Sequence, residues 1–159
     1  MLTIRELKDS LPQLGKIEMI QIRPVKREEM VAVNDVLIDV NTGLQGDHYS
    51  KSGGKRMITL IQKEHLDMIR SWCGVQHIEK ETRRNIIVSG INLLALHDRK
   101  FKIGDEVILE VTGHCHPCSR METNLGPGGY NAMRGHGGIT AKVIQGGRIK
   151  VSDQVQLVS

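Results

Sequence analysis

Apolar and polar positions recur at two periods along the chain, and the periods divide it into a short leading helix and a long series of strands. Thr3 and Glu6 have the spacing of a capping box, and Ile4, Leu7 and Leu11 share one face of the helix predicted over residues 3–11. Pro12 and Gly15 end it. From Lys16 to Val25, β-branched Ile17, Ile20, Ile22 and Val25 are punctuated by Glu18 and Gln21, which predicts a strand stopping near Pro24. Lys26 to Glu29 form a charged turn. Met30 to Val40 again reads as strand, broken in two at Asn34-Asp35, a pair that favours turns.

Gly43 to Gly54 holds four glycines with Asp47, His48 and Ser52, and reads as a long loop closed by Lys55 and Arg56. Loops of that length inside compact domains are often functional. Met57 to Gln62 is a strand and Lys63 to Cys73 a helix, with Leu66, Ile69, Trp72 and Cys73 on one face and Gly74 as its C-terminal cap. A polar interval follows, then the short apolar runs Ile86 to Val88 and Ile91 to Leu96. Val107 to Val111 is a strand that leads into a Cys-His segment. Ile139 to Ile144, Arg148 to Val151 and Val155 to Val158 complete the strands, with Gly146-Gly147 predicting a hairpin turn between the first two. Many short strands with few helices predict a mostly β, barrel-like domain over residues 16–159, preceded by a helical extension over 1–15. No repeat, low-complexity tract or linker interrupts it.

Composition narrows the classes. A chain of 159 residues buries about two-thirds of its unfolded surface without covalent staples. Three cysteines is an odd number, and the N-terminus lacks the apolar core of a signal peptide, which together predict a reducing, cytoplasmic setting. The longest apolar stretches fall far short of the ~20 residues that span a bilayer, so no membrane partner is expected. A net charge of +4 favours anionic small molecules, but with only four aromatic residues it does not make a nucleic-acid surface. No feature sets an oligomeric state.

The densest chemistry lies at His114-Cys-His-Pro-Cys118, directly after a predicted strand. Cys115-x-x-Cys118 with two histidines is half of a structural zinc site, and no second ligand pair has similar spacing. A redox dithiol would sit at a helix N-terminus near a βαβ unit, whereas a strand followed by a glycine-rich loop is expected here. The third chemistry is a single thiolate serving as ligand or sulfur acceptor beside an anionic cofactor. Arg56, Arg83, Arg84, Arg120 and Arg134 flank predicted strands and could meet at one barrel mouth. Cys73, on a helical face, reads as a small buried hydrophobe. Gly126 to Gly129 and Gly135 to Gly138 lack the spacing and lysine of a phosphate-binding loop.

Several segments, in order, resemble the MOSC family, the domain also found at the C-terminus of molybdenum cofactor sulfurases. They are Gly43-Leu-Gln-Gly-Asp47, Arg56-Met-Ile-Thr-Leu60, Glu81-Thr-Arg-Arg-Asn-Ile86 followed by Gly90-Ile91, and Ile103-Gly104-Asp105. Cys115-His-Pro-Cys118, Gly137-Gly138 and Gly147-Arg-Ile149 complete the series. The resemblance covers roughly residues 16 to 158. It implies a MOSC-type β-barrel with a few peripheral helices that binds the molybdenum cofactor, a molybdopterin carrying a terminal phosphate. By position in the family's pattern, Cys118 is the metal-coordinating or sulfur-carrying thiolate, with Cys115 second. Arg56, Arg83 and Arg84 are expected to anchor the cofactor, Asn85 to make a polar contact or support a loop, and Asp47 to orient the first loop. His48, Gly137 and Gly138 complete the expected cofactor-binding set. The resemblance implies reduction of N-hydroxylated small molecules, delivery of persulfide sulfur to an acceptor, or cofactor holding without turnover. A reductase would take electrons from a separate protein, since the chain has no flavin, haem or iron–sulfur signature.

Overall fold

The structure, a computed structural model, describes residues 1–48 and 58–158. Arg56 lies outside the described residues, as do Tyr49, Ser52 and Lys55. The first half of the chain runs α1 (Ile4–Asp9), β1 (Gly15–Ile22), β2 (Val31–Val33), β3 (Asp35–Asp39), β4 (Gly43–Leu44), β5 (Ile58–Gln62), α2 (Lys63–Cys73) and α3 (Ile78–Thr82). It continues as β6 (Ile86–Ser89), a 3-10 turn over Leu93–Leu96, β7 (Lys100–Ile103), β8 (Val107–His114), α4 (Ser119–Leu125) and α5 (Gly129–Met133). The last elements are β9 (Ile139–Gln145), β10 (Gly147–Lys150) and β11 (Gln154–Leu157).

Seven strands close on themselves in the order β11-β7-β8-β9-β5-β6-β1, with β1 pairing back to β11 through Gly15 and Val155. β2 is added outside β1, and β10, β3 and β4 form a separate sheet. The barrel-like domain expected from the strand pattern is therefore present, and closure leaves few free edges. Alternation explains its filling: Ile17 and Ile20 of β1, Ile58 and Leu60 of β5, Ile86 and Val88 of β6, and Leu109 and Val111 of β8 all enter one buried core. The small sheet adds Val36, Ile38, Leu44 and Ile149 to it.

A second core lies outside the barrel. Ile61 and Ile87 point away from the interior and are covered by Leu66 and Ile69 of α2, Ile78 of α3, Met121 and Leu125 of α4, and Met133 of α5. Burial on both faces explains why β5 and β6 read as nearly continuous apolar runs. These two strands are the parallel pair, and α2 and α3 make the crossover between them.

Several expectations change. The hairpin across Gly146-Gly147 does not form, because β10 pairs with β3 instead of β9. Those glycines carry the chain from one sheet to the other, and a Cβ on Gly146 would press into the Ile38 carbonyl at 2.5 Å. The glycine-rich loop after Cys118 contains α4 and α5, each too short to show helical periodicity against its glycines. The polar interval contains α3, and β7 had no strand reading. Trp72 is 58% exposed, since it lies about 100° round α2 from Cys73 and off the face made by Leu66 and Ile69. α1 carries the predicted capping box but buries none of its residues; Leu11, just beyond it, packs on the barrel core. Among the described residues no helix is long and apolar enough to cross a membrane.

Candidate functional site

Strand register, and not a shared strand polarity, gathers the candidate residues. Ile20 near the end of β1 faces Ile86 at the start of β6, Ile86 faces Leu60 of β5, Leu60 faces Ile139 at the start of β9, and Ile139 faces His114 at the end of β8. A pocket of about 360 Å³ opens beside this row. Asp47, Arg83, Arg84, Asn85, Cys115 and Cys118 all line it, although they come from three separate stretches of sequence.

A polar latch beneath the pocket holds its floor. Asn85 accepts from the Thr59 amide at 3.2 Å and from the Thr59 hydroxyl at 3.1 Å through Oδ1, and its Nδ2 donates to the Gln21 carbonyl at 3.2 Å. Asp47 Oδ1 accepts from the Arg23 amide at 2.8 Å and from Asn85 Nδ2 at 3.4 Å. Gln21, itself buried, donates to the carbonyls of Glu79 and Arg84 at 2.6 and 2.7 Å. Three strand ends are thereby tied to the first loop, and each buried polar group has a partner. Asn85 thus bonds to β1, to β5 and to Asp47 of the first loop.

The adjacent arginines have opposite environments. Arg84 is buried, and its guanidinium donates to the carbonyls of Gly137 at 2.7 Å, Thr82 at 2.9 Å and Cys115 at 3.2 Å. It therefore clasps the cysteine segment to the Gly137 segment. Arg83 ends α3 in the left-handed region, with φ 64, where a glycine is usual. Its Nη2 is the one buried side-chain nitrogen or oxygen among the described residues with no hydrogen-bond partner. A buried cationic donor without a partner is costly, and an anion in the pocket would remove that cost.

The two cysteines also differ. Cys115 is 2% exposed, its amide donating to the Gly138 carbonyl at 2.9 Å and its own carbonyl held by Arg84. Cys118 is exposed and stands at the N-cap of α4 with no side-chain capping bond. A helix, and not a loop, thus follows the dithiol spacing, with its second cysteine at the helix start. α4 is fixed to α5 by Glu122, whose carboxylate accepts from the amides of Gly128 at 2.9 Å and Tyr130 at 3.0 Å. Those two bonds hold its carboxyl below the ordinary value of 4.5.

Gly137 and Gly138 stand behind the wall. A Cβ on Gly137 would collide with the Cys115 carbonyl oxygen, and one on Gly138 with the Leu60 carbonyl oxygen, so both allow backbones to touch. His48 does not line the pocket; its amide donates to the Arg23 carbonyl at 2.7 Å. His116 does line it, and His114 lies between His116 and His97, its ring centroid 5.5 Å from that of His97 in a stacked pair. No three potential metal ligands among the described histidines, cysteines and carboxylates converge to hold an ion. Cys73 packs on the second core, and burial pushes its thiol pKa up, as suits a small hydrophobe.

Sequence reasoning missed Arg23, Lys26, Arg27, Met30 and Thr59, all of which line the pocket. The signal was the run Arg23-Pro-Val-Lys-Arg27 at a strand end, which reads equally well as a solvated turn.

The MOSC domain profile matches residues 46–156, well over half of the chain. No curated protein matches. Among solved structures, the YuaD protein from Bacillus subtilis superposes with a TM-score of 0.79 at 18% identity, covering 92% of this chain and 97% of that one. YiiM from Escherichia coli gives 0.68 at 16% identity over 91% of this chain and 70% of that one. YiiM from Geobacillus stearothermophilus gives 0.69 at 17%, covering 91% and 75%. At these identities the structural likeness establishes the fold.

Proposed function

The chain belongs to the MOSC domain family, and from that premise we propose that its pocket binds the molybdenum cofactor and reduces N-hydroxylated compounds. The observation that carries the reading is the unpartnered, buried Nη2 of Arg83 in the same pocket as the exposed Cys118 thiol. The donor set fits the cofactor at both ends: a soft thiolate sulfur suits molybdenum, and guanidinium donors suit a phosphate. When bound, the cofactor supplies a redox centre able to pass two electrons to an N–O bond.

Each residue then has a defined task. Cys118 would hold the metal, because it is exposed on the pocket lining, whereas Cys115, also on the lining, is 2% exposed with its amide and carbonyl engaged. Arg83 pairs with the phosphate. Arg84 positions Cys115 and Gly137 through three carbonyls, and Asn85 with Asp47 keeps the first loop against β1. Met30 and Met121, both buried, line the pocket and limit water. Breaking one N–O bond takes two electrons and two protons and yields an amine and water. The electrons come from a separate donor protein.

Protein purified from cells able to make the cofactor is expected to carry one molybdenum and one pterin, and Cys118→Ser to lose the metal. Stoichiometric zinc without pterin would overturn the reading. With a chemical electron donor, the loaded protein is expected to convert a hydroxylamine to an amine. The exposure of Cys118 also suits sulfur carriage, which a persulfide on Cys118 in protein inert toward hydroxylamines would favour. Loaded protein doing neither would point to a non-catalytic cofactor-holding domain.

A further inference from the structure

Six basic side chains line the pocket, and they fall into two sets. Arg23 and Arg84 are buried and Arg83 is half-buried, at the barrel side. Lys26, Arg27 and Arg120 are exposed. No hydrogen bond or ion pair engages these three side chains among the described residues. Asp47 is the one carboxylate among the described lining residues, and it is turned toward the Arg23 amide and Asn85. The outer set therefore faces the pocket with charge that no ion pair takes up, Arg27 also bordering an adjoining concavity beside Glu28, Glu29 and Glu81.

Backbone geometry indicates that this placement is built in. Among the described residues, four other than glycine have positive φ, and two of them are the pocket arginines Arg27, at 69, and Arg83, at 64. Arg27 is the third residue of the turn closed by the Glu28 amide on the Val25 carbonyl at 3.1 Å, a position where positive φ normally selects glycine or asparagine. An arginine held there gains nothing locally, and such outliers gather at functional sites.

We propose that Lys26, Arg27 and Arg120 form a charge-reading rim, so that the protein acts on N-hydroxylated compounds that also carry a carboxylate, in preference to neutral ones. The proposal rests on the reductase reading, which assigns Arg83 to the resident cofactor and leaves the rim to the substrate. During turnover the N–O bond breaks, two electrons arrive from the donor, two protons from solvent, and the amine and water leave. The carboxylate is untouched, so the product keeps the charge that bound the substrate.

The test compares 4-hydroxylaminobenzoate with phenylhydroxylamine on loaded protein with a chemical reductant, and measures binding of the products 4-aminobenzoate and aniline by equilibrium dialysis. We expect kcat/KM to favour the carboxylate roughly tenfold, and the ratio to shrink toward one in about 0.5 M salt. The double variant K26Q/R27Q is expected to collapse the ratio and to weaken 4-aminobenzoate binding by a similar factor, with R120Q intermediate. Reduction of both hydroxylamines with equal kcat/KM, or a preference that the variants leave intact, would overturn the rim while the reductase reading stood. Binding of 4-aminobenzoate that depends on Lys26 and Arg27, without reduction of either hydroxylamine, would uphold the rim and sink the reductase reading.

Discussion

Two of the charged concavities formed by the described residues differ in kind, since one of them leaves a buried donor without a partner. The larger, about 880 Å³, is a groove lined by Asp35, Glu106, Arg148, Lys150 and Asp153 among others. Part of that charge is met locally: Arg148 pairs with Asp35, Glu106 accepts weakly from the Arg148 amide, and Asp153 accepts from the Lys150 amide at 2.9 Å. The smaller, about 360 Å³, gathers six basic side chains and leaves Arg83 Nη2 without a partner. Volume alone would choose the groove. A buried donor without a partner chooses the pocket, since exposed charges in the groove are served by solvent and gain little from a ligand.

The comparison breaks most severely where the pocket's frame is removed. Arg84→Met leaves the carbonyls of Thr82, Cys115 and Gly137 without the guanidinium that joins them, in a buried setting. A loss of about 3–4 kcal/mol in denaturant unfolding is expected, with Cys115 becoming reactive toward thiol reagents. Gly137→Ala attacks the same junction from the other side, since its Cβ meets the Cys115 carbonyl and comes within 3.2 Å of Arg84 Nη2. About 2–4 kcal/mol is expected there, because neither the strand end nor the clasped arginine is free to yield.

Arg83→Met sharpens the contrast. It deletes a buried donor that has no partner, so stability should stay within about 1 kcal/mol of wild type or rise. Binding of inorganic pyrophosphate, followed by calorimetry, should nevertheless weaken roughly ten- to hundredfold, the worth of a charge-assisted hydrogen bond. In the groove, Arg148→Met should leave pyrophosphate binding unchanged and cost about 0.5 kcal/mol, as for an exposed ion pair. Equal loss of binding in the two variants would remove the distinction between the concavities.

The same contrast accounts for what could be read from the chain. Barrel strands were legible because their one-in, one-out alternation is a local property, visible in Ile17 and Ile20 or in Leu109 and Val111. α2 was legible because eleven residues suffice to show a face and a glycine cap. α4 and α5 were not, since seven and five residues interrupted by glycine carry no period, although Met121, Leu125 and Met133 complete the second core. Pairing of β10 with β3 is set by contacts between distant segments, which no turn signal at Gly146-Gly147 reports. At the site, the family resemblance singled out Cys118 and both arginines, while the difference between Arg83 and Arg84 depends on which carbonyls lie within reach. Arg27 reads as a solvated turn residue in the sequence, and only the fold brings it to the pocket lining.

The smallest effect concerns the wall that carries Cys118. α4 begins at Cys118 and is tied to α5 only a few residues later by Glu122, whose carboxylate holds the amides of Gly128 and Tyr130. These bonds favour the ionised form and lower the folded-state pKa, with the Tyr130 amide contributing most and the Gly128 amide next. The stabilisation is therefore complete above the ordinary value of 4.5 and is lost as pH falls through the lower folded value. Melts of wild type and Glu122→Gln should accordingly differ at pH 6 and converge as the pH falls toward 3. Amide exchange at Gly128 and Tyr130 should quicken in the variant while the Arg148 amide in the groove stays unchanged. A difference in melting that does not vary with pH would mean that the carboxylate charge plays no part in holding this wall, and that packing of Met121 and Leu125 alone keeps Cys118 at the pocket.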